Sequence, residues 1–304
     1  MRYDIIVVGA GPAGLTAGLY GGRQGDNVLI LEKGRVGGKG LEIPYIENYP
    51  GYKKVKGMVL IEKMKEQVSP LVDIKELEEV KSIKHENSKF IVTTTKNKYL
   101  SKAVILATGT THRELNVPGE KEFKGRGVSY CAICDGPLYI NKNILVVGGG
   151  NSAVQEAIYL KSIGCKVKLV HRRNKLRAEK YLQKKLKDLN IPVIWDSVVE
   201  KIRGNNSVEE VVLYNKKTKE KKIVEVDGVF IAIGEIPLNK LARDLGVKLD
   251  KRGYVMTDEF QRTNVQHVYA AGDITHTPNQ WIVACSEGAI AALTAHNDLL
   301  RGQK

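Results

Sequence analysis

Two short patterns of strand, glycine turn and helix, about 140 residues apart, constrain the fold of this chain more than any other feature. In the first, the apolar run DIIVVG at residues 4–9 ends in glycines and leads into a helical pattern at 13–20. In the second, NILVVGGG at 143–150 leads into NSAVQEAIYLKS. Each pattern continues into another strand, VLILE or VKLVHRR, which completes a βαβ unit of the kind that binds dinucleotides. The sequence therefore predicts an α/β fold with two Rossmann-like βαβ nucleotide-binding domains.

The segments around these units favour two domains. A single core seldom grows beyond about 250 residues, and this chain has 304. Residues 73–100 and 208–234 alternate apolar and polar side chains, which predicts antiparallel strands. Residues 102–109 and 267–275 predict buried strands, and residues 284–300 predict a long amphipathic helix.

The first glycine turn has the form G-x-G-x-x-G, and Glu32 follows at the end of the next strand, 23 residues after Gly9. In this arrangement the backbone amides approach a pyrophosphate at the helix N-terminus, and the carboxylate accepts hydrogen bonds from ribose hydroxyls. A lone glycine motif is weak evidence, but strand, glycines, helix and acid occur here in the required order. The predicted binding residues are Gly9, Gly11, Pro12, Ala13, Gly14 and Glu32.

The second glycine turn has the form G-x-G-x-x-A, and its second strand ends in His-Arg-Arg where an NAD site usually has an acid. Because a planar guanidinium suits phosphate, the missing acid and the arginines favour a 2′-phosphate and therefore NADPH. The alternative is a basic loop that merely flanks a helix. The predicted binding residues are Gly148, Gly150, Asn151, Ser152, His171, Arg172, Arg173 and Arg177.

The motif Cys131-Ala-Ile-Cys134-Asp135 precedes the second unit. The spacing of the two cysteines is typical of a redox-active pair, in which one thiolate attacks the mixed disulfide formed by the other. Asp135 is placed to exchange protons with a thiol or a reduced cofactor. Half of a structural zinc site is the alternative, but neither Cys165, Cys285 nor an H-x-H spacing supplies an obvious second pair of ligands. We therefore predict a catalytic pair and no metal, with Cys165 and Cys285 as small buried residues.

The net charge of +14 raises the possibility of a nucleic-acid or membrane partner. The lysines are scattered without interleaved aromatic residues, which favours a solvated surface and no nucleic acid. No apolar run approaches the roughly 18 residues needed to span a bilayer, and the start of the chain does not have the layout of a signal peptide. With only four cysteines, a cytoplasmic protein without a membrane partner is expected.

Taken with their order and spacing, these motifs make the chain resemble the low-molecular-weight thioredoxin reductases, which are FAD-dependent pyridine nucleotide-disulfide oxidoreductases. The resemblance runs over almost all 304 residues, through VVGAGPAG, IENYPG, ATG, CAICDG, GGGNSA, HRRNKLRA and AAGDI. It implies a homodimer in which residues 1–113 and 236–304 form an FAD domain, with an NADPH domain at 114–235 inserted into it. It also implies that Cys134 faces the flavin and that Cys131 attacks the disulfide of a thioredoxin or thioredoxin-like protein, with Asp135 as the acid.

Residue-by-residue matching to this family extends the FAD site and reveals departures from it. Lys39, Asn279 and Trp281 replace residues common near the flavin ring, and Asn151 replaces a frequent aspartate. Because of these departures, the same fold with reduced ferredoxin or a deazaflavin as donor is an alternative. Two further alternatives are a peroxiredoxin or glutaredoxin-like protein as the electron acceptor, and a non-enzymatic nucleotide sensor. The further FAD-site residues are Gly38, Lys39, Asn48, Gly109, Asp273, Gln280 and Trp281.

Overall fold

The structure is a computed structural model that describes residues 2–301. The helices are α1 Pro12–Arg23, α2 Gly57–Val68, α3 Ala132–Asp135, α4 Asn151–Ser162, α5 Lys180–Asp188, α6 Lys240–Asp244 and α7 Trp281–Arg301, with 3-10 turns at Gly38–Glu42 and Gly136–Tyr139. The strands are β1 Arg2–Val8, β2 Val28–Leu31, β3 Asp73–Lys75, β4 Val80–Glu86, β5 Lys89–Thr94, β6 Lys98–Leu106, β7 Thr110–His112, β8 Val128–Ser129, β9 Asn143–Gly148, β10 Lys166–Val170, β11 Val193–Ile194, β12 Ser197–Gly204, β13 Val208–Asn215, β14 Lys221–Glu225, β15 Gly228–Ala232, β16 Glu235–Pro237 and β17 Val268–Ala270.

The chain divides into two compact units, and the first contains residues 1–111 and 236–304. Its main sheet has the order β3-β2-β1-β6-β5-β4, and β17 pairs with β6 beside this path. β1, β2, β3, β6 and β17 run parallel to one another, whereas β5 is antiparallel to both β4 and β6. The mixed sheet arises because an alternating apolar and polar meander extends a nucleotide-binding βαβ unit.

Alternate side chains of β1 build two cores on opposite faces of this sheet. Ile5 and Val7 pack into one core, and Ile6 and Val8 pack into the other. The first core includes α1 and α7, which pack so closely that a Cβ on Gly288 would lie 2.1 Å from the carbonyl oxygen of Ala13. Small residues on α7 therefore hold this helix against the one that follows the first glycine turn.

The second unit contains residues 112–235. Its parallel sheet has the order β11-β10-β9-β15-β8, and an antiparallel sheet has the order β12-β13-β14. Ile144 and Val146 of β9 face one core, and Leu145 and Val147 face another. This unit therefore repeats the arrangement that surrounds the first βαβ unit, which confirms the predicted fold class of two Rossmann-like units.

Three expectations from the sequence need refinement. β15 pairs in parallel with β8 and β9, so the alternating segment 208–234 is antiparallel only through β14. β3 pairs in parallel with β2, so the alternating segment 73–100 is antiparallel only from β4 onward. α7 begins at Trp281 rather than at residue 284, and the first helical bond runs from the Ala284 amide to the Gln280 carbonyl.

Cys165 and Cys285 are buried thiols, as expected. Within residues 2–301, no helix has the length and apolar character needed to cross a membrane.

A half-buried ion pair fastens the C-terminal part of α7 in the first unit. The Arg262 guanidinium donates two hydrogen bonds of 2.8 Å to Asp298, and the Tyr269 hydroxyl donates a third of 2.9 Å. These donors, the Arg262 side chain first, hold the pKa of Asp298 below its ordinary value of 3.8. The group borders a cavity of about 410 Å³ that contains none of the predicted site residues.

We expect Asp298→Asn to lower the free energy of unfolding by about 2 kcal/mol near neutral pH, because the asparagine amide offers Arg262 only one acceptor oxygen and no negative charge. The folded-state pKa of Asp298 lies below the unfolded value, so its stabilising contribution is present above pH 3.8 and is lost as the pH falls through the lowered folded-state value. Denaturant unfolding at neutral and strongly acidic pH should therefore show a difference from wild type that shrinks in acid. Asp244→Asn, which breaks an exposed pair with Lys240, is the control and should change stability by less than about 0.5 kcal/mol. A pH-independent difference for Asp298→Asn would contradict this account.

Candidate functional site

The three glycines of the first turn have three different surroundings. A Cβ on Gly9 would lie 2.2 Å from the Ala107 carbonyl oxygen, and a Cβ on Gly14 would lie 1.8 Å from the Gly9 carbonyl oxygen. These two positions need glycine because backbone packs directly on backbone. A Cβ on Gly11 would meet nothing within 4 Å, and the φ of Gly11 is −74°, which any residue adopts. The open face at Gly11 is where a pyrophosphate could approach the backbone.

Glu32, which follows β2, is fixed beside this turn. It is buried, one carboxylate oxygen accepts a hydrogen bond of 2.9 Å from the Ala10 amide, and the other accepts one of 2.8 Å from the Gly34 amide. An ionised carboxylate has about four acceptor positions, so both oxygens can still receive hydroxyl groups. The geometry is compatible with the predicted ribose contact, which stays a prediction.

The segments predicted to complete the FAD site meet the first turn within the same unit. A Cβ on Gly38 would lie 3.5 Å from the Gly11 Cα, and a Cβ on Gly272 would lie 2.8 Å from the Ala13 Cβ. Gly272 directly precedes Asp273 at the carboxyl end of β17. Pro12 is the first residue of α1, and Gly109 follows β6 with φ +65° and open space beside it. The carboxyl ends of β1, β6 and β17 thus gather most of the predicted residues.

A second part of this site lies at the start of α7. The Asn48 side-chain amide donates a 2.9 Å hydrogen bond to the Gln280 side-chain oxygen. The neighbouring indole of Trp281 is buried, and its Nε1 has no hydrogen-bond acceptor among the described residues. Lys39 lies in the 3-10 turn that begins at Gly38. Since buried indole N–H groups are normally paired, the unpaired Trp281 donor and the open glycines fit a site that holds a polar cofactor.

Glu287 is a buried residue of this site that the sequence analysis missed. Its carboxylate accepts hydrogen bonds from the Gly272 amide at 2.7 Å and from the Thr275 hydroxyl at 3.0 Å. The Thr277 hydroxyl donates another of 2.5 Å. Glu287 therefore holds the loop that carries Asp273. The only signal in the sequence is a single acid within the small-residue segment ACSEGAIAAL of α7.

The second glycine turn repeats the arrangement of the first in the other unit. A Cβ on Gly148 would lie 2.3 Å from the Ala232 carbonyl oxygen, whereas one on Gly150 would meet nothing within 4 Å. Asn151 begins α4, with Ser152 next, and the Asn151 side chain exchanges hydrogen bonds of 2.8 and 2.9 Å with the side chain and amide of Glu179. The open face at Gly150 is again where a pyrophosphate could approach.

The basic loop after β10 lies beside this turn. His171 is buried against Gly149, and burial holds its pKa below the ordinary value, so it is neutral at pH 7. Arg172 and Arg173 are exposed and line an open cavity of about 420 Å³. The Arg177 side chain is not among the groups that line it, and the Arg177 amide instead donates a 2.8 Å hydrogen bond to the Gly149 carbonyl. Two of the three predicted arginines are therefore brought together at one cavity.

Cys131 and Cys134 form a disulfide at the start of α3, within the second unit. Cys134 is exposed and Cys131 is half-buried. The Cys134 amide donates a 3.2 Å hydrogen bond to Cys131 Sγ, which would stabilise a thiolate formed there on reduction. Asp135 is half-buried, and its amide donates to the Cys131 carbonyl at 3.2 Å. Among residues 2–301, no three His, Cys, Asp or Glu side chains are grouped so that they could hold a metal ion.

A buried carboxylate also supports the loop of the redox pair, and the sequence analysis missed it. Glu120 is only 1% exposed and accepts hydrogen bonds from the Leu115 and Asn116 amides at 2.7 and 2.6 Å. The hydroxyl of Tyr130, which directly precedes Cys131, donates a further hydrogen bond of 2.7 Å to Glu120. This arrangement joins the loop at 115–117 to the loop that carries the disulfide.

We expect Glu120→Gln to lower the free energy of unfolding by about 2–3 kcal/mol, because the amide replaces one buried acceptor oxygen with a donor. Denaturant unfolding of the oxidised protein checks this value. Glu122→Gln is the control, since Glu122 is exposed two residues away and should change stability by less than about 0.5 kcal/mol. Equal stability of the two variants would show that the Glu120 carboxylate does not anchor the loop.

Comparison with known proteins gives four matches. Residues 3–288 match the family model for pyridine nucleotide-disulphide oxidoreductases. The curated thioredoxin reductase of Treponema pallidum is 42% identical over 296 residues, which cover 96% of each chain. The crystal structure of T. acidophilum thioredoxin reductase has 40% identity and a TM-score of 0.96 and covers 98% of this chain and 99% of its own. That of the Lactococcus lactis thioredoxin reductase has 40% identity, a TM-score of 0.95 and the same coverage.

Proposed function

The chain belongs to the pyridine nucleotide-disulphide oxidoreductase family, and we propose that it is a thioredoxin reductase that carries electrons from NADPH through FAD and the Cys131–Cys134 disulfide to a thioredoxin-type disulfide. The observation that carries this proposal is the C-x-x-C disulfide within the unit that holds the second nucleotide turn. It distinguishes a disulfide reductase from a nucleotide-binding protein without a redox pair.

The first unit would hold FAD. The Gly11 turn would face the pyrophosphate, and Glu32 would accept hydrogen bonds from ribose hydroxyls. The flavin would lie beside Asn48, Gln280 and Trp281. The flavin supplies hydride acceptance from the nicotinamide and electron transfer to the disulfide. The second unit would hold NADPH through the Gly150 turn, with Arg172 and Arg173 toward the 2′-phosphate.

Thiol–disulfide exchange then completes the reaction in two balanced steps. After the pair has been reduced, the Cys131 thiolate attacks one sulfur of the thioredoxin disulfide, which forms a mixed disulfide and releases the other thioredoxin sulfur as a thiolate. The Cys134 thiolate next attacks Cys131 Sγ, which restores the internal disulfide and releases the second thioredoxin thiolate. Two electrons and two protons reach thioredoxin, and Asp135 is the nearby group that can exchange these protons.

Reduced ferredoxin or a deazaflavin remains the second candidate donor, because Lys39 and Trp281 depart from the family's usual residues near the flavin. The open glycine face at Gly150 and the arginine-lined cavity favour a phosphorylated nicotinamide nucleotide instead. A peroxiredoxin or glutaredoxin-like acceptor is an alternative only for the final step.

The experiment that tests the donor follows flavin absorbance in the anaerobic protein after addition of NADPH, NADH, reduced ferredoxin or a reduced deazaflavin. We expect rapid bleaching by NADPH and much slower bleaching by NADH. If neither nucleotide bleaches a flavin that ferredoxin or deazaflavin reduces, the second candidate replaces the NADPH proposal. The homodimer, the cytoplasmic location and the assignment of FAD and NADPH to the two domains stay predictions.

A further inference from the structure

The cavity beside Arg172 and Arg173 is built from three separate loops of the second unit. The arginines and Asn174 follow β10, Asp196 lies between β11 and β12, and Lys216 and Lys217 lie on the turn between β13 and β14. Four cationic residues and one acidic residue therefore line a space of about 420 Å³. The arginines were predicted from the sequence as phosphate-binding residues, whereas the lysines as a whole were assigned to a solvated surface.

Backbone hydrogen bonds fix the hairpin turn beside the arginine loop. The Lys216 amide donates to the Asp196 carbonyl at 2.7 Å, and the Asp196 amide donates to the Arg173 carbonyl at 3.3 Å. The Asn215 side-chain oxygen accepts hydrogen bonds from the Lys217 and Thr218 amides at 2.9 and 3.0 Å, which shapes the turn itself. The backbone positions of the two lysines are therefore fixed by the fold.

We propose that Lys216 and Lys217 are specificity residues for the 2′-phosphate of NADPH, and that this hairpin forms one wall of the phosphate site. The inference rests on the proposed use of NADPH. A 2′-phosphate carries up to two negative charges near neutral pH. Arg172 and Arg173 offer planar donors, and the lysines add mobile point charges that outweigh repulsion by Asp196. NADH has no 2′-phosphate and gains nothing from these lysines.

The other lysines of the hairpin provide a matched control. Lys221 and Lys222 lie on β14, outside the groups that line the cavity, and Lys221 pairs with Glu200 at 2.8 Å. The double variants Lys216→Ala/Lys217→Ala and Lys221→Ala/Lys222→Ala remove the same charge from the same hairpin. A general electrostatic effect of net charge would appear equally in both.

The test measures binding of adenosine 2′,5′-bisphosphate and of 5′-AMP to the full chain by titration calorimetry, together with KM for NADPH and NADH. Two exposed ion pairs of ordinary strength together change affinity by about tenfold. We expect Lys216→Ala/Lys217→Ala to weaken binding of the bisphosphate, and to raise KM for NADPH, by this factor. The value of kcat, the KM for NADH and the affinity for 5′-AMP should each change by less than about twofold.

Unchanged bisphosphate binding in this variant would overturn the inference, as would an equal loss in the Lys221→Ala/Lys222→Ala control or an equal loss for 5′-AMP. In each of these cases the proposed function still stands if NADPH reduces the wild-type protein. If wild type neither binds the bisphosphate nor is reduced by NADPH, the proposed function fails and the inference fails with it.

Discussion

We expect the Cys131→Ser variant to lose thioredoxin reduction by about a thousandfold or more, because it lacks the thiolate that attacks the substrate disulfide. Reduction of its flavin by NADPH should continue at close to the wild-type rate, since that step needs neither cysteine. Stopped-flow absorbance measures the first half of the reaction, and NADPH-dependent formation of thioredoxin thiols measures the whole.

Two companion variants sharpen this prediction. Cys134→Ser keeps the attacking thiol but cannot resolve the mixed disulfide, so a covalent complex with thioredoxin through Cys131 should accumulate and be visible without reductant. Cys165→Ala removes a buried thiol of the same unit and should retain turnover. If Cys131→Ser still reduces thioredoxin, or if Cys131→Ser and not Cys134→Ser accumulates a covalent complex, the assigned roles of the two cysteines are wrong.

Substitution of Gly11 or Gly150 by alanine should weaken binding of one nucleotide each without unfolding the protein. Gly11 and Gly150 have φ values of −74° and −94°, and an added Cβ would meet no protein atom within 4 Å. The methyl group would instead occupy the space that a pyrophosphate needs, at a cost of about 1–3 kcal/mol, or up to about a hundredfold in affinity. We expect Gly11→Ala to lose FAD, and Gly150→Ala to keep FAD but require about a hundredfold more NADPH for flavin reduction.

Retained flavin after gel filtration and NADPH titration of flavin absorbance measure these two effects. Gly14→Ala is the contrasting variant, because its Cβ would lie 1.8 Å from the Gly9 carbonyl oxygen and should destabilise the first unit itself. If Gly11→Ala binds FAD as tightly as wild type, the pyrophosphate does not approach this turn. If Gly150→Ala loses FAD as well, the two turns do not serve separate nucleotides.

The nucleotide-binding framework could be predicted because its signals are local. Glycines at 9, 11 and 14 directly follow a β-branched strand and precede a helix, and the same order returns at 148–153. The parallel pairing of β3 with β2 could not be predicted, because a three-residue strand carries too little pattern to define its partner. The early start of α7 was also missed, since Trp281 and its neighbours Ile282 and Val283 are weaker helix formers than the alanines that follow.

The chemistry of the redox pair could likewise be predicted from four adjacent residues, whereas the supporting groups could not. Glu120 accepts hydrogen bonds mainly from backbone amides, and Glu287 accepts them from one amide and two threonine hydroxyls. Neither set of contacts can be recognised in the sequence. Lys216 is brought to Arg173 only by the backbone of Asp196, across loops that are distant in sequence. A lysine-rich hairpin has the same composition whether it faces solvent or a phosphate site.

The most direct test of the proposed electron path measures NADPH oxidation by the purified, FAD-loaded protein with and without oxidised thioredoxin. We predict that NADPH is consumed only when thioredoxin is present, beyond the first reduction of the protein, with one NADPH oxidised for each thioredoxin disulfide reduced. If NADPH is not consumed although the protein, once reduced by dithionite, still passes electrons to thioredoxin, the path from NADPH is contradicted.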